Sequence, residues 1–351
     1  MMLSFNNFDR KSELNDYNSL FCNAFPEVEE TTEKGYNWQF HNYPDAVKCS
    51  YEYGAYIDKQ LVGYYAAIPY KYKIGEEETN VGMVCGVMTH SDHRGKGIFT
   101  KLGSYATNDL SSFVPFTTGY PIRKAVIPGH LKIGWKIAFE LPLYIKVLKS
   151  NSFLRERKLY PFSLIINPFL SLYNTLTSLN SQKDYTIEIC DSLNSVEGVE
   201  IFVAEWGNTV KNRLEKTKEF LNWRYARPNA TYKFFIARKN NKLVSFAACR
   251  EIERMGVPSL CIIDLMCVGD RKSLDVLFSS LVKYSKKANI EMIMTMMSKT
   301  SALQYRLLRN GFIKTPYNFK LIIKNLTNKF QDGILFDENR WHLMWVDSDD
   351  L

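Results

Sequence analysis

The amino-acid sequence predicts a mixed α/β fold that is built twice along the chain. Three observations lead to this prediction. Residues 51–89 contain two apolar hairpins around short polar turns, which is typical of antiparallel strands. A strand, a glycine-bearing loop and an amphipathic helix follow, and this order indicates a mixed sheet. Blocks of sequence in the first half then recur in the second half in the same order.

Length and composition agree with two folded domains. The chain has 351 residues, of which 46% are hydrophobic and 14% aromatic, enough for two buried cores. The formal net charge is +8 with scattered lysines and arginines, which favours anionic small ligands over a nucleic-acid surface. No transmembrane-length apolar run, signal segment or metal-ligand spacing is present, and the seven cysteines form no C-x-x-C pair. We therefore expect a cytoplasmic protein with reduced thiols and no metal.

The first half of the chain contains the predicted elements in a clear order. A strand and helices occupy residues 5–47, and the two hairpins follow. The helix that begins at Ile98 has Phe99, Leu102, Ala106 and Leu110 on one face. A strand over residues 114–120 and a short helix that ends at a glycine complete the first half.

The loop between the hairpins and this helix is predicted to bind a diphosphate. Its residues are Arg94, Gly95, Lys96 and Gly97, directly before the helix. The first amides of a helix lack helical partners and carry partial positive charge, and glycines let an anion approach the backbone. Neither the P-loop signature nor the dinucleotide glycine signature is present.

The spacing R-x-x-G after a strand that ends V-M-T resembles the acyl-CoA loop of the GNAT superfamily of N-acyltransferases, whose pattern is [QR]-x-x-G-x-[GA]. Phe99 departs from the small residue at the sixth position. The resemblance implies a GNAT fold and acetyl-CoA, or another acyl-CoA, as cofactor. It also implies cofactor contacts at Val87, Met88, Thr89, Arg94, Gly95, Lys96, Gly97 and Ile98.

The internal repeat consists of three matched blocks. Asn37-Trp38-Gln39-Phe40 matches Asn222-Trp223-Arg224-Tyr225, Leu61-Val62-Gly63-Tyr64 matches Leu243-Val244-Ser245-Phe246, and Ile133-Gly134-Trp135 matches Asn310-Gly311-Phe312. In the second copy no R-x-x-G follows the central strand, and Asp270 stands there instead. The predicted domains are a GNAT domain over 1–145, a helical linker over 146–184, and a degenerate GNAT-like domain over 185–351. This layout resembles the tandem arrangement of N-myristoyltransferases and related acetyltransferases.

The predicted linker has two interpretations. Basic residues lead into an apolar run over 159–172 that Pro161 and Pro168 interrupt. The segment is either a helical connector or a basic and apolar surface that rests on an anionic membrane, through residues 146–172. The two prolines favour the connector, because they are expected to break a long amphipathic helix.

The resemblance also indicates candidate catalytic residues. The family often uses a tyrosine, four residues before the glycine of a Y-x-x-x-G-[FY] helix end, to protonate the leaving thiolate. His130 occupies this position before Gly134, and the alternative is a histidine that merely faces solvent.

The acceptor side of the site is less defined by the sequence. Tyr120, Arg123 and Asp347 are candidate substrate contacts, and the alternative for Arg123 and for the acidic tail with Asp347 is a solvated surface role. Glu52, Tyr120 and Asp347 are candidates for the general base.

The sequence thus predicts an enzyme that moves an acyl group, acetyl in the first instance, from CoA to a small-molecule primary amine. Analogy with bacterial proteins of this length and layout indicates an amino sugar of a surface polysaccharide as acceptor. Two alternatives stay open: a Fem-like aminoacyl transferase of cell-wall synthesis, and a non-catalytic CoA-binding scaffold.

Overall fold

A computed structural model of the chain describes residues 2–26, 33–44, 49–121, 123–178 and 184–350. The chain divides into two compact units. Unit 1 comprises Met1–Phe139, Ala226–Pro228 and Lys320–Asp337, and unit 2 comprises Glu140–Tyr225, Asn229–Phe319 and Glu338–Leu351. Each unit therefore takes a segment from the other half of the sequence.

The described residues contain strands and helices throughout. The strands are β1 (Leu3–Asn7), β2 (Tyr51–Ile57), β3 (Gln60–Ile74), β4 (Glu77–Thr89), β5 (Phe116–Gly119), β6 (Lys136–Val147), β7 (Tyr185–Cys190), β8 (Asn212–Leu214), β9 (Lys233–Lys239), β10 (Lys242–Arg254), β11 (Val257–Cys267), β12 (Met292–Met296) and β13 (Ile313–Asn325). The helices are α1 (Arg10–Ala24), α2 (Glu33–Phe40), α3 (Ile98–Leu110), α4 (Ile127–Lys132), α5 (Asn151–Glu156), α6 (Ser163–Leu176), α7 (Val199–Gly207), α8 (Lys218–Tyr225), α9 (Lys272–Lys287), α10 (Lys299–Gln304) and α11 (Asp332–Leu335).

The sheet of unit 1 has the order β1-β2-β3-β4-β5, with the C-terminal part of β13 beyond β5. Strands β1 to β4 are antiparallel, β4 and β5 are parallel, and β5 is antiparallel to β13. The predicted mixed α/β sheet is confirmed. The two predicted hairpins share one long strand, β3, which runs through Pro69. Pairing with β2 ends at Ala67, so β2 does not need the N–H that proline lacks.

Helix α3 covers one face of this sheet with three of the four apolar residues that the sequence predicts, and Ile98 lies on this face instead of Phe99, which is only partly buried. Ile98, Leu102, Ala106 and Leu110 are buried against strand residues that include Tyr53, Val62 and Val84. Burying each large aliphatic side chain contributes roughly 1.5–3 kcal/mol to folding. The same packing fixes the position of the loop before α3.

The sheet of unit 2 repeats the order and directions of unit 1. Strands β7, β9, β10 and β11 are antiparallel neighbours, β11 and β12 are parallel, and β12 is antiparallel to β6. The fourth strand of each sheet carries a bulge of one residue, at Gly86 and Val87 in β4 and at Ile263 in β11. The same topology in both units supports the duplication that the repeated blocks predict.

The segment predicted as a linker contains regular structure. Strand β6 extends to Val147, and α5 and α6 belong to unit 2. The expectation that the prolines interrupt the helix is wrong for Pro168, which lies inside α6. Pro168 is exposed and lies on the solvent side of α6. The carbonyl four residues earlier, which proline leaves without its helical donor, is on the same side, so the helix can continue. Residues 179–183 of the predicted linker lie outside the described residues.

The apolar residues over 340–346 predict a last strand, but the segment forms 3₁₀ turns instead, at Glu338–Arg340 and Trp345–Asp347. A single bridge joins Trp341 to Asn212. Residues 341–348 are buried without alternation, so they lack the two-residue period of a half-exposed strand.

The described residues were also compared with the requirements for a membrane span, a metal site and a disulfide. No helix within the described ranges is long and apolar enough to cross a membrane. The part of the chain that the structure describes contains no cluster of three or more potential metal ligands. All seven cysteines are free thiols.

Candidate active site

The loop after β4 has the backbone geometry that anion binding requires. A 3₁₀ turn over Ser91–His93 precedes Gly95 and Gly97, which have φ of 76° and 73°. Residues that have a Cβ rarely adopt this left-handed backbone conformation, so glycine is needed at both positions. A Cβ at Gly95 would meet nothing within 4 Å, and one at Gly97 would meet only the Thr100 hydroxyl, at 3.8 Å. The space over this backbone is therefore open to a ligand.

The N-terminus of α3 adds a second anion-binding feature. Gly97 is the N-cap residue and provides no side-chain cap, and the first backbone bond of the helix joins Lys101 N to Gly97 O. The amides of Ile98, Phe99 and Thr100 therefore have no partner within the helix. Three open amides at the positive end of a 13-residue helix favour a diphosphate.

Arg94 is held in place by two backbone carbonyls. Its Nη2 donates to Ala24 O at 2.8 Å and its Nε to Thr89 O at 3.4 Å. Asn23 fixes the same loop, because its Oδ1 accepts from Ser91 N at 2.7 Å. The C-terminal end of α1 thus positions the loop, and sequence reasoning missed this contribution. Positioning before the ligand binds lowers the entropy cost of binding.

Strand β4 diverges from β5 directly before this loop. Their parallel pairing covers only Gly82 to Val84, whereas pairing with β3 continues to Thr89. Gly86 has φ of 61°, and a Cβ there would lie 3.2 Å from Phe40 and 3.3 Å from Tyr64. The segment that contains the predicted contacts Val87, Met88 and Thr89 is therefore held by β3 and not paired with β5.

His130 is buried, so the alternative that it merely faces solvent is wrong. Its side chain is 4% exposed, and its ring centroid lies 4.9 Å from Phe99, 5.0 Å from Trp135 and 6.3 Å from Tyr65. Nδ1 lies 3.1 Å from the carbonyl oxygen of Val126, which can only accept, so Nδ1 carries the proton. Burial lowers the pKa of His130 from 6.5 to about 4. At neutral pH Nε2 is therefore a bare acceptor.

Three buried polar atoms around His130 have no protein partner among the described residues. They are His130 Nε2, Tyr65 Oη and Trp135 Nε1. Buried polar groups in folded proteins are nearly always hydrogen-bonded, to protein or to water. One bare acceptor beside two donors is suited to a polar ligand atom or an ordered water.

Phe99, the residue that departs from the family pattern, packs against α4. A Cβ at Gly129 would collide with the Phe99 ring. The glycine on α4 therefore makes room for the bulky side chain, and the loop keeps its conformation.

Glu52 has a saturated carboxylate. Oε1 accepts from Arg10 at 2.8 Å and from Ser50 at 2.7 Å, and Oε2 accepts from Tyr64 at 2.6 Å and from Tyr36. Burial and the nearby carboxylate raise the pKa of both tyrosines, which keeps them protonated as donors. A carboxylate with four donors is a structural group and has no free lone pair for a substrate proton.

The three predicted substrate contacts lie in different settings. Tyr120 is buried immediately after β5, and Arg123 is exposed with its guanidinium carbon 4.5 Å from the centre of the Phe25 ring. Asp347 belongs to unit 2, where it is buried and accepts from Met344 N at 2.8 Å. Within unit 2 its carboxylate stabilises a 3₁₀ turn.

Unit 2 has a carboxylate where unit 1 has the open loop. Oδ1 of Asp270 accepts from Lys272 N at 2.9 Å at the beginning of α9. This backbone bond lowers the pKa of Asp270, which therefore stays charged. A negative charge that caps the helix opposes phosphate binding at that terminus.

Unit 1 thus combines a diverging central strand, a glycine loop and an uncapped helix, which defines the class of acyl-CoA-binding domains that the sequence resembles. Residues 9–138 match the family model of the acetyltransferase (GNAT) domain. This match is to the part of the chain that contains β4, the glycine loop and α3, and it supports acyl transfer from CoA by this domain.

Solved structures share the fold over nearly the whole chain. A GCN5-related N-acetyltransferase from Anabaena variabilis has 11% identity and a TM-score of 0.66, over 93% of this chain and 73% of its own. A probable N-acyltransferase from Enterococcus faecalis has 11% identity and a TM-score of 0.67, with the same coverage. N-myristoyltransferase of Saccharomyces cerevisiae with bound myristoyl-CoA has 12% identity and a TM-score of 0.60, over 92% and 82%. No curated protein sequence matches the chain.

Proposed function

We propose that the chain transfers an acyl group, acetyl in the first instance, from CoA to a primary amine. The observation that carries the proposal is the open loop before α3. Gly95 and Gly97 expose its backbone. A hydrogen bond to Ala24 O positions Arg94, and the first three amides of α3 have no partner within the helix. In this proposal Arg94, Gly95, Lys96, Gly97 and Ile98 hold the diphosphate of acyl-CoA, which supplies the activated thioester when bound.

The unpaired edge of β4 would orient the thioester carbonyl. Backbone groups of Met88 and Thr89 are fixed by pairing with β3, and Val87 lies in the bulge directly before them. Transfer forms an amide N–C bond and breaks the C–S bond. The amine loses a proton and the sulfur gains one.

His130 is proposed as the acceptor of the amine proton, directly or through a water. The sequence suggested a proton donor, but a neutral imidazole protonated at Nδ1 presents only a lone pair at Nε2. This revised role follows from the hydrogen bond to Val126, which places the proton on Nδ1 and leaves the lone pair on Nε2.

Unit 2 is proposed to be a second GNAT-like copy that no longer binds the cofactor. Its strand order and the bulge in β11 support the GNAT-like fold. The Asp270 carboxylate at the beginning of α9 supports the loss of cofactor binding. An amino sugar remains the proposed acceptor, and the cytoplasm the proposed location. The glycine loop favours acyl-CoA over the charged tRNA of a Fem-like transferase.

Incubation with radiolabelled acetyl-CoA and a panel of amino sugars, nucleotide-linked amino sugars, polyamines and peptides tests this function. We expect label to enter one class of amine. Protection of the fold by CoA without transfer to any amine, from acetyl-CoA or longer acyl-CoA, would favour the scaffold alternative. Transfer from aminoacyl-tRNA alone would favour the Fem-like alternative.

A pH prediction follows from His130. Its folded pKa is about 4 against 6.5 when unfolded, so the unfolded chain binds more protons between these values and stability falls on acidification. The free energy of unfolding falls by about 3 kcal/mol in total, and the loss is complete once His130 is protonated in both the folded and the unfolded chain. His130→Asn, which can keep the bond to Val126, should lose less stability than the wild type between pH 6.5 and pH 4.

Unfolding temperatures measured across this pH range test the prediction. Leu131→Asn on the exposed side of α4 is the control and should follow the wild-type profile. Parallel loss of stability in the wild type and in His130→Asn would show that His130 is not the group responsible. Loss of kcat in His130→Asn with an unchanged KM would support the proton-transfer role, which a packing role would not predict.

A further inference from the structure

Helix α6 is oriented with its polar side toward the protein. Ser163 and Asn174 are buried, at 2% and 0% exposure. The side-chain amide of Asn174 donates to Val147 O at 2.9 Å, and Asn167 Oδ1 accepts from Ser150 N at 2.9 Å. These asparagines attach the helix to unit 2 through hydrogen bonds, at positions where a surface helix normally has apolar residues.

The opposite face of α6 is apolar and exposed. Leu164 is 80% exposed, Phe169 70%, Leu176 63%, Ile165 62% and Leu172 59%. These five side chains lie on one side of the helix, and residues 159–176 contain no charged residue. A contiguous apolar surface of this kind on a folded protein indicates an interaction site.

Cations stand directly before this apolar face. Arg155, Arg157 and Lys158 are exposed. The guanidinium carbon of Arg157 lies 3.7 Å from the centre of the exposed Phe153 ring, and that of Arg155 lies 5.2 Å from the exposed Tyr160 ring. The single acidic residue between positions 141 and 178 is Glu156. Its carboxylate lies against the backbone of Gly256.

We propose that α6 and the basic turn before it bind an anionic phospholipid surface, with the helix parallel to the membrane plane. A 14-residue helix is about 21 Å long, which is too short to span the hydrocarbon core. Its five aliphatic and aromatic side chains suit the boundary of the acyl chains, and the aromatic residues and cations suit the headgroup level. The excess of positive charge favours anionic lipid over a second copy of this chain, which would bring like charges together.

Vesicle sedimentation with the full chain tests the proposal. The wild type should bind vesicles of phosphatidylcholine mixed with phosphatidylglycerol, and should bind pure phosphatidylcholine much more weakly. Phe169→Asp should lower binding at least tenfold and leave the unfolding temperature unchanged, because the side chain is exposed. Ile201→Asp is the matched control, since Ile201 is a 66% exposed aliphatic residue on α7, and it should bind like the wild type.

Charge reversal tests the electrostatic part. Each cation near an anionic surface contributes roughly fivefold to binding, so Arg155→Glu and Lys158→Glu should each lower binding by at least that factor, as should added salt. Equal binding to both vesicle types, or no binding to either, would overturn the proposal. So would a wild-type dimer in solution that Phe169→Asp converts to monomer while vesicle binding is absent. The inference is independent of acyl transfer, and Arg94→Glu should bind vesicles like the wild type.

Discussion

Acyl-CoA should raise the unfolding temperature of the wild-type chain and should fail to raise that of Arg94→Glu. At a concentration about 100 times its dissociation constant, a ligand stabilises the folded state by about 2.7 kcal/mol. For a domain of the size of unit 1, this free energy corresponds to a rise in unfolding temperature of about 5–10 °C. The substitution places a carboxylate beside the open amides of α3, where it takes the position of the phosphate and repels it.

The readout is the shift on adding CoA, because Arg94→Glu also removes the bonds to Ala24 and Thr89 and lowers the starting temperature. Lys11→Glu is the matched control. It makes the same charge change at the exposed N-terminal end of α1, whereas the loop contacts the C-terminal end of this helix. A full CoA shift in Arg94→Glu would show that the diphosphate binds elsewhere. A lost shift in Lys11→Glu would show that the effect is one of general charge.

The sequence predicts those structural features that depend on residues close together in the chain. The face of α3, the two hairpins and the glycine loop each follow from periodicity or from turn residues within a few positions. The repeated blocks also predict two units with the same topology, because similar sequence folds similarly. These features position the candidate site without knowledge of distant contacts.

What the sequence does not predict depends on partners far apart in the chain. Arg94 and Ala24 are 70 positions apart, and Tyr36 reaches Glu52 from a separate helix. The rings that bury His130 and so lower its pKa lie on α3 and β3 and, in Trp135, just after its own helix. Composition alone likewise gives no sign that α6 directs its asparagines inward, because hydrogen-bond partners at Ser150 and Val147 determine its orientation.

Unit 2 contains the feature with the largest expected effect on stability, a buried ion pair between Lys216, which follows β8, and Asp264 on β11. Lys216 Nζ lies 2.5 Å from Asp264 Oδ1, and their side chains are 1% and 0% exposed. Lys216 also lies 4.4 Å from the centre of the Trp206 ring. Removal of one partner leaves an uncompensated charge without water, so Asp264→Leu should lower the free energy of unfolding by about 3–5 kcal/mol.

The double variant Lys216→Met/Asp264→Leu should recover most of this loss, because replacing both charges by apolar groups removes the desolvation cost along with the attraction. Urea unfolding measures each variant, and Lys218→Met is the control. Lys218 pairs with Glu200 at 3.0 Å, but both are at least 60% exposed, so the loss there should stay below about 1 kcal/mol. If the double variant is as unstable as Asp264→Leu, the loss in Asp264→Leu does not come from the unpaired charge of Lys216. All variants should keep the CoA shift as long as unit 1 remains folded, because the glycine loop and Arg94 belong to unit 1 and Asp264 belongs to unit 2.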